Sequence, residues 1–240
     1  MNQVSFGQPF LLLMSTMLAV SLSSDSARGQ EAKSASEAVK AKQTETSGWK
    51  PLRGSWEVSQ FGGDGPVEIG DERIKFGFGD PLTGVRWEGD LLRESFEIEL
   101  QARRTDGFDF FCGLTFPVGE NHVSFILGGW GGGVVGISSI DGRDASENDT
   151  TSFRAFNNDQ WYKVRVRVDP YEIRAWIDDK EACAHPRKGH KFDIRYEMDQ
   201  CVPLGLAAYQ CKSEYRGIKI RKLTDAEVAE AKKKLKEENR

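Results

Sequence analysis

Between Ser95 and Gly142 the chain reads SFEIELQARRTDGFDFFCGLTFPVGENHVSFILGGWGGGVVGISSIDG, a block of successive strand-like segments with almost no helical signal between them. In the first segment Phe96, Ile98, Leu100 and Ala102 alternate with Glu97, Glu99, Gln101 and Arg103. A period of two marks a strand with one buried and one wet face. A chain built around such a block has to form sheet, and the remaining segments extend it. The clearest hairpin puts Tyr162, Val164, Val166 and Val168 on one face, turns at Asp169-Pro170, and returns with Tyr171, Ile173, Ala175 and Ile177 on the matching face. A one-residue slip would turn every apolar side chain outward, so the Val and Ile faces point to the core. Further strands are expected at Ser55 to Ser59, Pro66 to Ile69, Arg73 to Phe78, Thr83 to Glu88, Thr151 to Phe156, Pro203 to Gln210 and Tyr215 to Arg221. Many short strands with Gly- and Asp-rich punctuation imply two packed antiparallel sheets, and the fold class expected is an all-β jelly-roll sandwich.

Residues 1–30 contain the apolar run FLLLMSTMLAVSL, too short to span a bilayer, which takes roughly 20 residues as a helix, but suited to the core of a secretory signal. Export to the periplasm or the medium is therefore expected, with no stable membrane span once the signal is removed; the alternative is a short uncleaved membrane anchor. Residues 31–47, EAKSASEAVKAKQTETS, lack aromatics and read as a flexible linker. One sandwich domain is expected over 48–223 and a charged helix over 224–240. Thr224 followed by Glu227 is a capping-box signature, and the helix that follows has acids early and lysines late. A net charge of −4 with interleaved signs provides no basic stripe, which argues against a nucleic-acid partner. In an oxidising compartment Cys183, Cys201 and Cys211 are expected to supply at least one disulfide, while Cys112, inside an apolar run, stays a buried thiol.

No complete catalytic motif is present, so the chemistry-bearing residues are candidates. Glycines flank Trp130 in GGWGGG and strip side chains from around its indole. Trp130 is thus a candidate platform for the apolar face of a sugar ring, the alternative being that it folds back over the core. Trp176 is a second aromatic candidate and Asn148 a polar one. Asp109 and His122 lie in or beside turns of the central block, as do Asp106 and Glu120, and are the candidate catalytic acid and base. Asp141 and Asp144, in a loop with Glu147, Asn148 and Asp149, present hard oxygens that suit a calcium ion, although the spacing matches no EF-hand. Asn148-Asp149-Thr150 is also a glycosylation sequon. Glu97 and Glu99 share a strand face as a carboxylate pair or, alternatively, as a solvated face neutralised by Arg165 and Arg167.

GFDFFCGLTFPVG, HVSFILGGWGGGVVGISSIDGRDASEN, the WYKVRVRV…IRAWIDD hairpin and the closing YRGIKIRKL together resemble the secreted bacterial domains known as 3-keto-disaccharide hydrolases. The resemblance covers Gly48 to Leu223. It implies a concanavalin A-like (LamG-like) sandwich and carbohydrate as partner, with cleavage of glycosides oxidised at C3 as the activity. Glucanases of that fold carry an E-x-D-x-x-E-like strand, whereas FEIELQ has Glu97 and Glu99 without the intervening Asp. A ketone at C3 acidifies the C2 hydrogen, so one base suffices to start elimination. The functions expected are a glycan-binding module, a hydrolase or lyase of 3-keto-glycosides, and a structural surface domain.

Overall fold

The computed structural model describes residues 48–238, and the expected signal and linker, residues 1–47, lie outside the described residues. The chain forms β1 (Lys50–Pro51), β2 (Trp56–Val58), β3 (Val67–Ile69), β4 (Arg73–Phe76), β5 (Leu82–Trp87), β6 (Phe96–Gly107), β7 (Cys112–Val118) and β8 (Asn121–Gly128). It continues through β9 (Val134–Ser138), β10 (Ser152–Phe153), β11 (Tyr162–Val168), β12 (Glu172–Ile177), β13 (Lys180–Pro186), β14 (Gly205–Tyr209) and β15 (Cys211–Lys222) to the helix α1 (Asp225–Glu238). One sheet has the order β13-β12-β11-β6-β15-β4-β3, with β1 also on β15, and the other the order β10-β9-β8-β7-β14-β5-β2. All the pairings are antiparallel, and the molecule is the antiparallel β-sandwich expected.

The alternation in the sequence becomes burial. Phe96, Ile98, Leu100 and Ala102 of β6 and Val164, Val166 and Val168 of β11 enter one core with Leu114, Phe116, Val123, Phe125 and Leu127 from the facing sheet. Val164, Val166 and Val168 pair with Ile177, Ala175 and Ile173, which fixes the hairpin register. The Ser95–Gly142 block does give four strands, but not in one sheet. β6 belongs to the eight-stranded sheet and β7, β8 and β9 to the seven-stranded one. The crossover runs through Phe108–Phe111, where Phe111 sinks fully into the core.

Glu97 is 1% exposed on the outer side of β6 and accepts from Arg165 (3.1 Å), Arg167 (2.7 Å) and Arg221 (2.7 Å). Glu99 pairs with Lys163 and Lys219. Of the solvated, neutralised face expected as the alternative to a catalytic pair, the neutralisation holds, since cations on neighbouring strands take up both carboxylates, but Glu97 is buried and not solvated. The capping box forms: Thr224 N–H donates to Glu227 at 2.8 Å and Glu227 N–H to the Thr224 hydroxyl at 3.2 Å. Glu227 also reaches Arg221 and Arg167, tying α1 to the eight-stranded sheet.

The disulfide expectation is corrected: all four cysteines are free and buried. Cys183 sits on the edge strand β13, Cys201 beside Ser59 on the outer side of the other sheet, and Cys211 at the start of β15 with its thiol on the Asp109 carbonyl. Three different elements keep the three thiols apart. Burial pushes Cys183 and Cys201 up to about 12 and Cys211 up to about 11, and it raises Cys112 further.

Candidate functional site

The outer face of the seven-stranded sheet is only partly covered. On β8 the core residues Val123, Phe125 and Leu127 alternate with Ser124 and Ile126, which point the other way. The segment after β13 returns over this face. Ile194, Met198 and Cys201 pack there against Leu82, Ala207, Phe61, Phe110 and Tyr209 as a second, small apolar cluster. Between this flap, whose 3-10 turn is Tyr196–Cys201, and the loop carrying Trp130 lies a cleft of about 330 Å³. Its wall includes Phe110, Trp130, Tyr209, Met198 and Ile126 with the polar groups Asp109, Ser124, Ser138, Arg195 and Glu197. The floor depends on Gly113 of β7: a Cβ there would stand 3.2 Å from Met198 and 3.3 Å from the Phe110 ring.

The Trp130 loop is a rigid turn. Trp130 itself has φ 48° and ψ 54°, left-handed backbone, and its side chain is 45% exposed. Gly132, at φ +105°, presses against Phe108, where a Cβ would lie 2.3 Å from the carbonyl oxygen. Only glycine fits that approach. Asp109 fastens the turn by accepting from Gly131 N–H at 3.0 Å and from Phe110 N–H at 2.7 Å. Trp130 and Asp109, read from separate stretches of sequence, thus meet at one mouth. Asp109 acts there first as the anchor of the tryptophan.

The opposite rim is built by ions. Arg195 donates to Asp144 at 2.7 Å and to Glu197 at 2.9 Å. The Arg195 guanidinium holds the Glu197 carboxyl below the usual carboxylate range, so Glu197 is charged at neutral pH. Hydroxyls lie on the sheet between the two rims: Ser124 shares a 2.8 Å hydrogen bond with Thr115, and Ser138 lies 3.4 Å from the Ser139 hydroxyl. The cleft therefore combines exposed aromatic surface with carboxylates, a guanidinium and hydroxyls. That mixture suits a ligand with both apolar faces and many hydroxyl groups.

Several sequence candidates lie elsewhere. His122 is near the far end of β8, about 20 Å from Gly128 at about 3.3 Å per residue. Burial and Arg93 lower its pKa, and its Nε2 is buried without a hydrogen-bond partner. It does not join Asp109 as an acid–base pair. Trp176 lies on the outer side of the eight-stranded sheet, with the Arg165 guanidinium 3.9 Å above its ring. Asn148 is a loop organiser: its amide donates to the carbonyls of Ile137, Arg143 and Asp144, and its oxygen accepts from Thr150. That amide is too committed to serve a ligand or a glycosyl group in the folded chain.

Asp141 and Asp144 do not fit a calcium ion. Asp141 accepts from Lys191 N–H at 2.8 Å and lies 2.7 Å from His190 Nδ1, and these partners hold its carboxyl below the usual range. Asp144 accepts from Ser146 and Arg195. Both carboxylates are engaged by separate sets of donors, His190 and Lys191 for one and Ser146 and Arg195 for the other, whereas calcium needs several oxygens pooled at one point. Among the described residues no group of three or more His, Cys, Asp and Glu side chains is placed to hold a metal.

Tyr209, Phe110, Arg195, Glu197 and Met198 were not among the sequence candidates. The long strandless run from Arg187 to Asp199 was the available signal, because connections of that length inside a compact domain are often binding loops.

No family model matches the chain, and no curated protein is similar to it. Among solved structures it is similar to the carbohydrate-binding module CBM66 from Bacillus subtilis, at 9% identity and a TM-score of 0.47, over 72% of this chain and 98% of that one. It is also similar to domain 4 of AbnA, an extracellular GH43 arabinanase from Geobacillus stearothermophilus in complex with arabinotriose, at 14% identity and a TM-score of 0.46, over 74% of this chain and 88% of that one.

Proposed function

We propose that this protein binds glycans in the cleft between the Trp130 turn and the Arg195–Met198 flap. The observation that carries the reading is the exposed indole held at the cleft mouth on left-handed backbone, with Asp109 as its clamp. A large aromatic side chain kept outside the core on a conformation that costs free energy is more readily explained by a ligand than by folding. Phe110 and Tyr209, with ring centroids 5.8 Å apart, continue the aromatic surface inward. Stacking on a sugar face there is worth about 0.5–1.5 kcal/mol per ring, and Glu197, Arg195, Ser124 and Ser138 offer hydrogen bonds to hydroxyls.

A second reading, cleavage of glycosides oxidised at C3, is favoured by the two carboxylates, Asp109 and Glu197, on one cleft. A carboxylate is the kind of group that takes an acidified C2 proton, but Arg195 lowers the Glu197 pKa and so weakens it as a base, and both Asp109 oxygens already accept from the turn. His122 is too distant for the role.

The test is calorimetry with purified protein on a glycan panel that includes glucosides and their 3-keto forms, together with product analysis. Binding should be present in the wild type and weakened about three- to tenfold in Trp130→Ala, with the protein still folded by its thermal transition. Product release from 3-keto substrates that Glu197→Gln or Asp109→Asn abolishes would establish the enzyme. A folded wild type that ignores the whole panel removes both readings and leaves a structural domain.

A further inference from the structure

The Trp130 turn has two sides. On the side away from the cleft it borders a shallow groove of about 500 Å³, lined by Gly131 to Gly133, Phe108 and the segment Phe153 to Phe156. The cleft and the groove share two walls. One is the turn itself, with Trp130 facing the cleft and Gly131–Gly133 facing the groove. The other is the Phe108–Phe110 segment, which gives Phe108 to the groove and Phe110 to the cleft. Hydrogen bonds tie these walls together, from Gly131 N–H to Asp109 at 3.0 Å and from Arg104 to the Asp109 carbonyl at 3.2 Å. The groove is therefore a fixed continuation of the cleft.

Its surface is aromatic to an extent the fold does not require. Phe153, on the edge strand β10, is 79% exposed, and Phe108 is 66% exposed. Single exposed apolar side chains are ordinary, but these two face one groove directly beside an exposed Trp130. The groove's charged groups are turned to other tasks. Arg104 donates to Asn158 and to the Phe156 carbonyl, and Arg154 pairs with Asp178 at 2.6 Å. Aromatic faces, with no carboxylate in the lining, dominate what a ligand would meet.

We infer that the site takes an oligosaccharide chain, one end in the cleft and the following units lying over the Trp130 turn onto Phe108 and Phe153. This inference rests on the glycan reading of the cleft and deepens it: the ligand is a chain of neutral sugars, recognised at its distal units by stacking.

The experiment is a calorimetric length series, from monosaccharide to hexasaccharide of a glycan found to bind, with wild type, Trp130→Ala, Phe153→Ala and Phe108→Ala at low and high salt. Affinity should rise with length. Phe153→Ala should weaken hexasaccharide binding about three- to tenfold while leaving the monosaccharide unchanged, the effect of losing one stacked ring. Salt should change little, because no free charge is involved. Phe153 makes little contact with the rest of the fold, and an unchanged melting temperature verifies that the variant is folded. If binding depends on Trp130 but is flat with length, or the long-chain affinity survives in both Phe153→Ala and Phe108→Ala, the extended groove is wrong and the cleft reading stands. If no sugar binds at all, the cleft reading fails with it.

Discussion

At Trp130 the cost and the purpose of a conformation are separable. Left-handed backbone costs a residue bearing a Cβ about 1–2 kcal/mol, and the indole, 45% exposed, offsets this with the part of its surface that is buried. Trp130→Gly, which gives up the strain together with the ring's partial burial, is therefore expected to change the melting temperature little while weakening glycan binding about three- to tenfold. A clear loss of stability on scanning calorimetry would mean instead that the ring packs for the fold. Asp109 is the complementary case. Its two carboxylate oxygens receive the N–H groups of Phe110 and Gly131, and asparagine offers only one acceptor. Asp109→Asn should cost about 1 kcal/mol in urea unfolding and weaken binding by loosening the turn. The candidacy of Trp130 was legible because glycines on both sides leave an indole nothing local to pack on. The role of Asp109 was not, because its partner Gly131 lies across two strands.

Among the elements, α1 depends on protonation state. Arg221 and then the Thr224 donors hold Glu227 down to about 2, from an ordinary value of 4.5. The ionised form is the one favoured by the fold, so this contribution is complete above about pH 4.5 and disappears as pH falls toward about 2. Stability of the wild type should fall across that window, and Glu227→Gln should start lower at neutral pH and flatten the acid limb, as followed by circular dichroism. Beneath the helix, Glu97→Ala would leave Arg165 without its carboxylate and Arg167 and Arg221 with Glu227 alone. Removing one partner of such a buried network costs about 3–5 kcal/mol. The strands that supply these groups were readable wherever one face alternates with the other, as in β6 and β11. β13 was not: Lys180–Pro186 alternates weakly because it is an edge strand with exposed Glu181 and Ala184. The division of the central block between two sheets was equally hidden, since period-two patterning records which face is buried but not which strand is the neighbour.

For the whole molecule, the cysteines provide a readout of integrity. All four are buried and free, and burial raises each thiol. Thiolate is the reactive form, so a maleimide or disulfide reagent should titrate none in the native protein and all four in guanidinium. A native thiol that reacts rapidly would place a cysteine nearer the surface than the fold does. Assembly of the cleft also belongs to this scale. Leu82 and Tyr209 become neighbours only through the pairing of β5 with β14, and Arg195 is held at the rim in part by Asp144, far away in sequence. No local pattern encodes such meetings.

The pairing of β1 with β15, Lys50 against Ile220, brings the entry of the chain into the sandwich alongside its exit toward α1. Both points belong to the eight-stranded sheet, and the cleft opens on the outer side of the other. The exit is the one that is fixed in space: Glu227 ties α1 to Arg167 and Arg221 on the outer face of the eight-stranded sheet, opposite the cleft. Immobilised on a bead through a tag placed after α1, the sandwich would turn its aromatic mouth away from the support.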